Sequence, residues 1–247
     1  MPPIGKALIA EAIGTFALSF VGVLAISAAG VVGAPAGLVN LASIGLAHGL
    51  TIAVMIAALG AISGGHFNPA VTFGFVVTGR MRPITGLLYW VAQLVGATIA
   101  GFLLVGIVGG AAVANGTPNL DPKVSTISGI VVEAILTFFL VLVIFGTAVD
   151  ERAPKSIFPI AIGLTVALDI MAGGPLTGAS MNPSRTFGPA LASGMWSNHL
   201  VYWIGPLIGG AAAALLQHFV LMEAAPSPET AARGGPAPSE ERGSVLA

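Results

Sequence analysis

Two stretches of this sequence carry the same polar interruption, "SGGHFNPAVTFG" at 63–74 and "TGASMNPSRTFG" at 177–188. Each holds an Asn-Pro pair, Asn68-Pro69 and Asn182-Pro183, behind a run of small residues. An Asn before a Pro suits the start of a helix. The Asn side-chain oxygen can accept a backbone N–H at the N-cap, and Pro fits the first helical position. The Asn amide hydrogens are then free to donate elsewhere. Gly64, Gly65 and Gly178 permit tight backbone, so the carbonyls of Gly64, Gly65, His66, Gly178, Ala179 and Ser180 can turn towards one path. Two helix tips facing each other would present two positive dipole ends, a field that opposes cations. A water between them would accept from both Asn amides through its oxygen, with its hydrogens turned outward. A proton hopping along a file of such waters would meet a charge barrier and a broken orientation at one point.

No nucleophile–base pair or metal cluster stands beside this motif, so neither an enzyme nor a cofactor or metal is expected. The chain has no cysteine, which excludes disulfides and thiolate chemistry. Three other residue sets call for an explanation. Arg185 takes the place that Val71 holds in the first motif, putting one cationic donor on one side only. A guanidinium at membrane depth is costly, so it should face water and loop carbonyls. His48 lies in an otherwise apolar, Gly-rich run and should face a cavity, where a neutral imidazole can donate or accept. His66 either lines the vestibule or packs the loop. Glu11 and Glu133 sit at matching places in two apolar segments, where carboxylates are rare without partners.

The elements that must position these residues are membrane helices. Of the 247 residues, 55% are hydrophobic and 8% charged, with mean hydropathy +0.96; soluble domains carry about 25% charge. Six stretches are long enough to span, at about 7–29, 41–60, 86–109, 128–149, 157–173 and 200–222. The fifth is short and needs its loop to complete it. Two half-length apolar stretches, 68–78 and 182–192, are re-entrant candidates. The first segment reads as a span and not as a cleaved signal peptide. Beyond Met222 the Pro-, Ala-, Gly- and Glu-rich residues 223–247 form an expected disordered cytoplasmic tail. With net charge −1 there is no basic surface for nucleic acid.

The motif copy belongs to a larger duplication. "EAIGTFAL" (11–18) matches "EAILTFFL" (133–140), "GLTIAV" (49–54) matches "GLTVAL" (163–168), and "YWVAQLVG" (89–96) matches "YWIGPLIG" (202–209). The expected repeats are about 1–112 and 125–222 within one channel domain, 1–222. Three spans per repeat insert the second copy upside down, as in many transporters and channels. The fold class is therefore an all-α membrane protein: six transmembrane helices plus two re-entrant half-helices in an inverted repeat. Irregular loops at membrane depth survive only where buried in protein or lining a wet cavity. The Lys and Arg bias places Lys6, Arg80, Arg82, Arg152, Lys155, Arg233 and Arg242 on the side of the termini and Lys123 on the other, so both termini are expected in the cytoplasm.

Through "AEAIGTF", "SGGHFNPAVT", "VEAILTF" and "GASMNPSRTFGP", the chain over about 1–222 resembles the aquaporins, or major intrinsic proteins. The resemblance implies a pore in each subunit of a homotetramer, carrying water and small neutral solutes across a lipid bilayer. The paired motif triplets become Asn68, Pro69, Ala70 and Asn182, Pro183, Ser184. Ser184 departs from the family's usual Ala, with a small effect expected. By position, the selectivity filter falls on His48, Ile170, Ala179 and Arg185, with Asp169 or Met171 replacing Ile170 if a gap intervenes. This set is similar to that of plant vacuolar aquaporins, which implies water with ammonia, urea or hydrogen peroxide as further cargo. Glu11 and Glu133 become loop supports. The location expected is the cell (inner or plasma) membrane. A small-solute facilitator for glycerol, urea or ammonia is the alternative, although Thr186 stands where glycerol facilitators place Asp. An ion-coupled transporter would need acidic ligands at the midplane, and a closed structural junction protein would show no flux.

Overall fold

The computed structural model describes residues 4–31 and 38–222. The tail expected at 223–247 lies outside them. Nine helices order the described chain: α1 Ile4–Val31, α2 Leu38–Ser63, α3 Pro69–Val77, α4 Pro83–Val108, α5 Gly110–Gly116, α6 Thr126–Ile144, α7 Phe158–Thr177, α8 Pro183–Ser193 and α9 Val201–Leu216. Helices α6 and α9 each end in a π-helical turn, Phe145–Val149 and Gln217–Leu221. Six of these elements are long and apolar enough to cross a membrane. Large apolar side chains such as Ile9, Val54, Phe102, Val131, Leu168 and Ile208 are exposed on their outer faces. Such a surface belongs in hydrocarbon and not in water.

The two short helices α3 and α8 are the re-entrant pair. Each half-helix packs on the third span of the other repeat, α3 on α9 and α8 on α4, while α1 packs with α4 and α6 with α9. The repeats are thus interlocked. At their centre α2 and α7 touch backbone to backbone: a methyl group on Gly49 would collide with the Gly163 carbonyl, and one on Gly163 with the Gly49 carbonyl. Only small residues permit that approach in a membrane. The contact is reciprocal at matching repeat positions, as a pseudo-two-fold axis requires.

The fifth span differs from its expected extent. It continues through Gly173, Gly174 and Pro175 to Thr177, instead of ending near 173. Two contacts hold this last turn. Gly173 lies against the Leu136 side chain, and the Leu176 carbonyl accepts from the Asp121 backbone N–H at 2.9 Å. Tertiary contact overrides the local Gly-Pro signal, which by itself reads as a helix stop. The short helix α5, which falls between the two expected repeats, has no counterpart in the sequence reading.

Candidate functional site

The loops before α3 and α8 are built alike, and the buried carboxylates organise both. Glu11 Oε1 accepts from Ser63 Oγ (2.7 Å) and the His66 N–H (3.0 Å), and Oε2 from the Phe67 N–H (2.7 Å) and Gln93 Nε2 (2.8 Å). Glu133 Oε1 accepts from Thr177 Oγ1 (2.7 Å) and the Ser180 N–H (2.9 Å), and Oε2 from the Met181 N–H (2.7 Å). Both side chains are fully buried. Tyr89 and Tyr202 close the loops from behind, donating to the Ser63 carbonyl at 2.8 Å and the Thr177 carbonyl at 2.7 Å. The loops adopt left-handed backbone at matching positions: Gly64 (φ 89°) and Gly178 (φ 79°), Gly65 (67°) and Ala179 (42°), Phe67 (48°) and Met181 (52°). Non-glycine residues hold that conformation only where the surroundings over-determine it, and the carboxylate bonds to the Phe67 and Met181 N–H groups supply the constraint.

The two Asn residues cap the half-helices and join them. Asn68 Oδ1 accepts from the Ala70 N–H at 2.8 Å. Asn182 Oδ1 accepts from the Ser184 N–H (3.1 Å), the Arg185 N–H (3.3 Å) and the Ser184 hydroxyl (2.7 Å). Each amide nitrogen then crosses to the opposite loop. Asn68 Nδ2 donates to the Met181 carbonyl and Asn182 Nδ2 to the Phe67 carbonyl, both at 2.8 Å. Of the two amide hydrogens expected to be free to donate elsewhere, one on each Asn serves the other loop, which leaves one. The buried Ser184 hydroxyl donates its one hydrogen to the Asn182 side-chain carbonyl, a bond that the family's usual Ala could not make.

A narrow cavity of about 60 Å³ runs past these tips, room for a few waters at the roughly 10–15 Å³ that each needs. Gly64, Gly65, His66, Asn68, Ser180 and Asn182 bound it, as do His48, Ile170 and Arg185 at one end and Phe75, Ala148 and Phe158 at the other. Asp169 and Met171 do not bound it, and Ile170 does. Gly178 and Ala179 are absent from its walls: the Gly178 carbonyl lies 3.5 Å from Arg185 Nη1, and the buried Ala179 methyl packs over Gly173. Pro69, Pro183 and Ala70 are buried in the first turns of the half-helices.

Arg185 is buried, and its Nη2 donates to His48 Nε2 at 2.9 Å. His48 Nδ1 lies 2.8 Å from the Ile44 carbonyl. A carbonyl and a guanidinium leave one consistent tautomer: Nδ1–H donates to Ile44 and the Nε2 lone pair accepts from Arg185. Both imidazole nitrogens are therefore occupied by protein, and the donor left at this end is the arginine, whose Nε has no partner among the described residues. Gly22 makes room for the ring, since a methyl group there would collide with it. His66 does both things expected of it as alternatives: it bounds the cavity and packs the loop, with Nδ1 3.1 Å from Thr72 Oγ1 and its ring stacked on Phe75. Asp169 is buried with one oxygen unpartnered among the described residues.

The expected loops begin at Ser63 and Thr177 as found, but sequence reasoning missed the loop-closing roles of Tyr89 and Tyr202 and the loop contacts of Thr72 and Thr186. The duplication held the signal, because each pair repeats at the offset of its neighbours. Gln93 and Gly22 left no such trace.

Six spans and two half-helices, folded from an inverted repeat around a narrow conduit with a few polar groups on a largely apolar wall, define a membrane channel of the aquaporin fold. The model of the major intrinsic proteins matches residues 2–217, and the chain belongs to that family. It is 45% identical over 221 residues to Aquaporin TIP2-1 of Arabidopsis thaliana, covering 88% of each chain. It is 43% identical over 241 residues to Aquaporin TIP1-2 of Zea mays, covering 94% of this chain and 93% of the relative. Among solved structures it resembles the aquaglyceroporin from Plasmodium falciparum, with TM-score 0.76 at 24% identity over 89% of this chain and 97% of that one. At that identity the likeness is one of fold.

Proposed function

We propose that this chain is a passive transmembrane channel for water that also passes small neutral solutes and excludes protons and ions. The observation that carries the reading is the reciprocal crossing of Asn68 and Asn182 at the meeting of two half-helix N-termini on one narrow cavity. One amide N–H on each side remains for a passing water, which accepts both and turns its hydrogens outward along the file. The positive tips oppose cations at the same point. At one end Arg185 donates to the passing molecule, with His48 holding the guanidinium by an acceptor bond and Ile170 forming an apolar wall. Ala179, buried and absent from the cavity walls, braces the loop behind Arg185 through its N–H bond to Thr177 Oγ1 at 3.1 Å. Glu11 and Glu133 hold the loops in their left-handed turns.

The finer assignments follow the sequence. The channel domain is 1–222, with repeats at about 1–112 and 125–222. The termini face the cytoplasm of an inner or plasma membrane, and four copies assemble with a pore in each. A wider cargo, including ammonia, urea or hydrogen peroxide, is favoured by the cavity end at Arg185, where His48 and Ile170 stand and, among the described residues, no Phe, Tyr or Trp bounds the wall.

Stopped-flow light scattering on proteoliposomes tests the reading. The expected result is fast osmotic water flux with a low activation energy and no proton leak under a clamped membrane potential. Urea, ammonia and glycerol measured in the same vesicles rank the cargo. Water flux no faster than through bare lipid overturns the channel.

A further inference from the structure

A groove on the outer face of the molecule, away from the conduit, has the composition of a lipid site. It lies between α3 and α4, has a volume of about 170 Å³, and is walled by Phe73, Val76, Pro83, Gly86, Leu87 and Trp90. Its floor is stiff. Trp90 Nε1 donates to the Pro69 carbonyl at 2.9 Å, and a methyl group on Gly86 would come within 2.6 Å of Val76 Cγ2. The absence of a side chain at Gly86 lets Val76 of α3 pack directly on the α4 backbone. From Pro83 to Trp90 the helix rises about 10 Å, running from the membrane surface towards the depth at which α3 begins.

The mouth of this groove is basic. Arg82 is the N-cap of α4, directly beside Pro83, and α4 has no side-chain cap. Arg82 is exposed, and while its carbonyl accepts from the Gly86 N–H at 3.0 Å, its side chain makes no hydrogen bond or ion pair among the described residues. Arg80, also exposed, has Nη2 3.4 Å from His218 Nδ1, the outer limit of a hydrogen bond. The uncapped start of α4, with the exposed Arg82 beside Pro83 and Arg80 two residues before it, stands at one end of an apolar slot. A phosphate suits the first and an acyl chain the second. A second copy of this chain fits less well. By the charge bias its rim on this side carries Lys6, Arg80, Arg82, Arg152 and Lys155 against two acids, Asp150, which is paired with Arg152 at 2.6 Å, and Glu151.

We propose that the α3–α4 groove binds an anionic phospholipid of the leaflet on that side, with one acyl chain along Val76, Leu87 and Trp90 and the phosphate on Arg80 and Arg82. The site stands apart from the conduit, so its occupancy is separable from permeation.

Native mass spectrometry of the detergent-purified full chain, titrated in parallel with dioleoylphosphatidylglycerol and dioleoylphosphatidylcholine, tests this. The wild type retains the anionic lipid in preference to the zwitterionic one. Arg80→Gln and Arg82→Gln each reduce that preference about fivefold, the factor associated with one basic residue at an anionic surface. Val76→Trp, which fills the slot, lowers retention of both lipids. If that variant does not fold, Leu87→Ser removes an apolar wall instead. Osmotic water flux of the arginine variants in phosphatidylcholine vesicles stays at the wild-type level, which separates this proposal from the channel reading. Equal retention of the two lipids by the wild type overturns the proposal, as does a preference that survives both arginine substitutions. Competition by millimolar inorganic phosphate would show a free-anion site without a chain. Loss of subunit association in Val76→Trp, with lipid retention intact, would give the groove to a second copy.

Discussion

At the scale of single residues, each Asn is held by its own backbone and by the opposite loop, but the second is held more tightly. Asn182 Oδ1 takes three donors where Asn68 Oδ1 takes one. Ser184→Ala removes the shortest of the three, a buried hydroxyl bond, and should lower stability by about 1 kcal/mol; a thermal melt in detergent reads it, and Ser184→Thr should recover most of the loss. Glu133→Gln acts more strongly. An amide has one oxygen for the three donors of Thr177, Ser180 and Met181, and its NH2 would face N–H groups. Hydrogen bonds to charged groups contribute roughly 1.5–3 kcal/mol each, so both melting temperature and water flux should fall. Unchanged flux and stability in Glu133→Gln would remove the support role. His48→Ala should take the acceptor from Arg185 Nη2 and widen that end of the cavity. The measure is glycerol or urea permeability relative to water, which should rise.

At the scale of elements, the close contact of α2 and α7 limits what the chain tolerates. Gly49→Ala would press a methyl group onto the Gly163 backbone carbonyl, which cannot step aside. Overpacking of this kind costs about 1–3 kcal/mol, and chemical unfolding in detergent should show it, with the same substitution at Gly60, where only the Ile56 side chain lies near at 3.6 Å, as the control. The loop from α6 to α7 behaves differently because it is exposed. The Arg152 guanidinium bonds the Asp150 carboxylate and holds its pKa down, from 3.8 to about 2. Whatever stability this pair contributes is present above the unfolded value near 3.8 and is lost as pH falls through about 2. Arg152 also reaches the Leu221 carbonyl (2.9 Å), and Lys155 Nζ the carbonyls of Ala148 (3.1 Å) and Asp150 (2.5 Å). Tryptic cleavage after Arg152, probed by pulses of equal activity, should therefore show no step in loop exposure between pH 8 and pH 5. A step in that window would mean that another group controls the loop.

For the whole molecule, the absence of cysteine makes two measurements clean. Water flux should resist mercurial reagents, since no thiolate exists to be modified. Single cysteines placed at Lys123 and at Arg152 should label from opposite faces with a membrane-impermeant maleimide, Arg152 from the side of the termini; labelling of both from one face would refute the proposed orientation. The interlocked packing of α3 on α9 and α8 on α4 also predicts that the two repeats unfold together, in one transition.

The sequence by itself determined the class of molecule, the six spans and the inverted repeat, because hydrophobic length and duplicated motifs are local or periodic signals. It also determined where the half-helices begin, since Asn-Pro after small residues encodes a cap chemically. The end of the fifth span at Thr177 was decided by contacts with Leu136 and Asp121, which overrule a local Gly-Pro stop. The same holds for the pairing of Arg185 with His48 across 137 positions, the crossing of each Asn amide to the other loop, and the retreat of the Ala179 methyl from the cavity. These partners lie on different helices, and one-dimensional spacing holds no record of which side chains close a three-dimensional ring. Only tertiary packing brings a donor on one re-entrant loop within 2.8 Å of a carbonyl on the other, and so decides how many hydrogens remain for the molecule that passes between them.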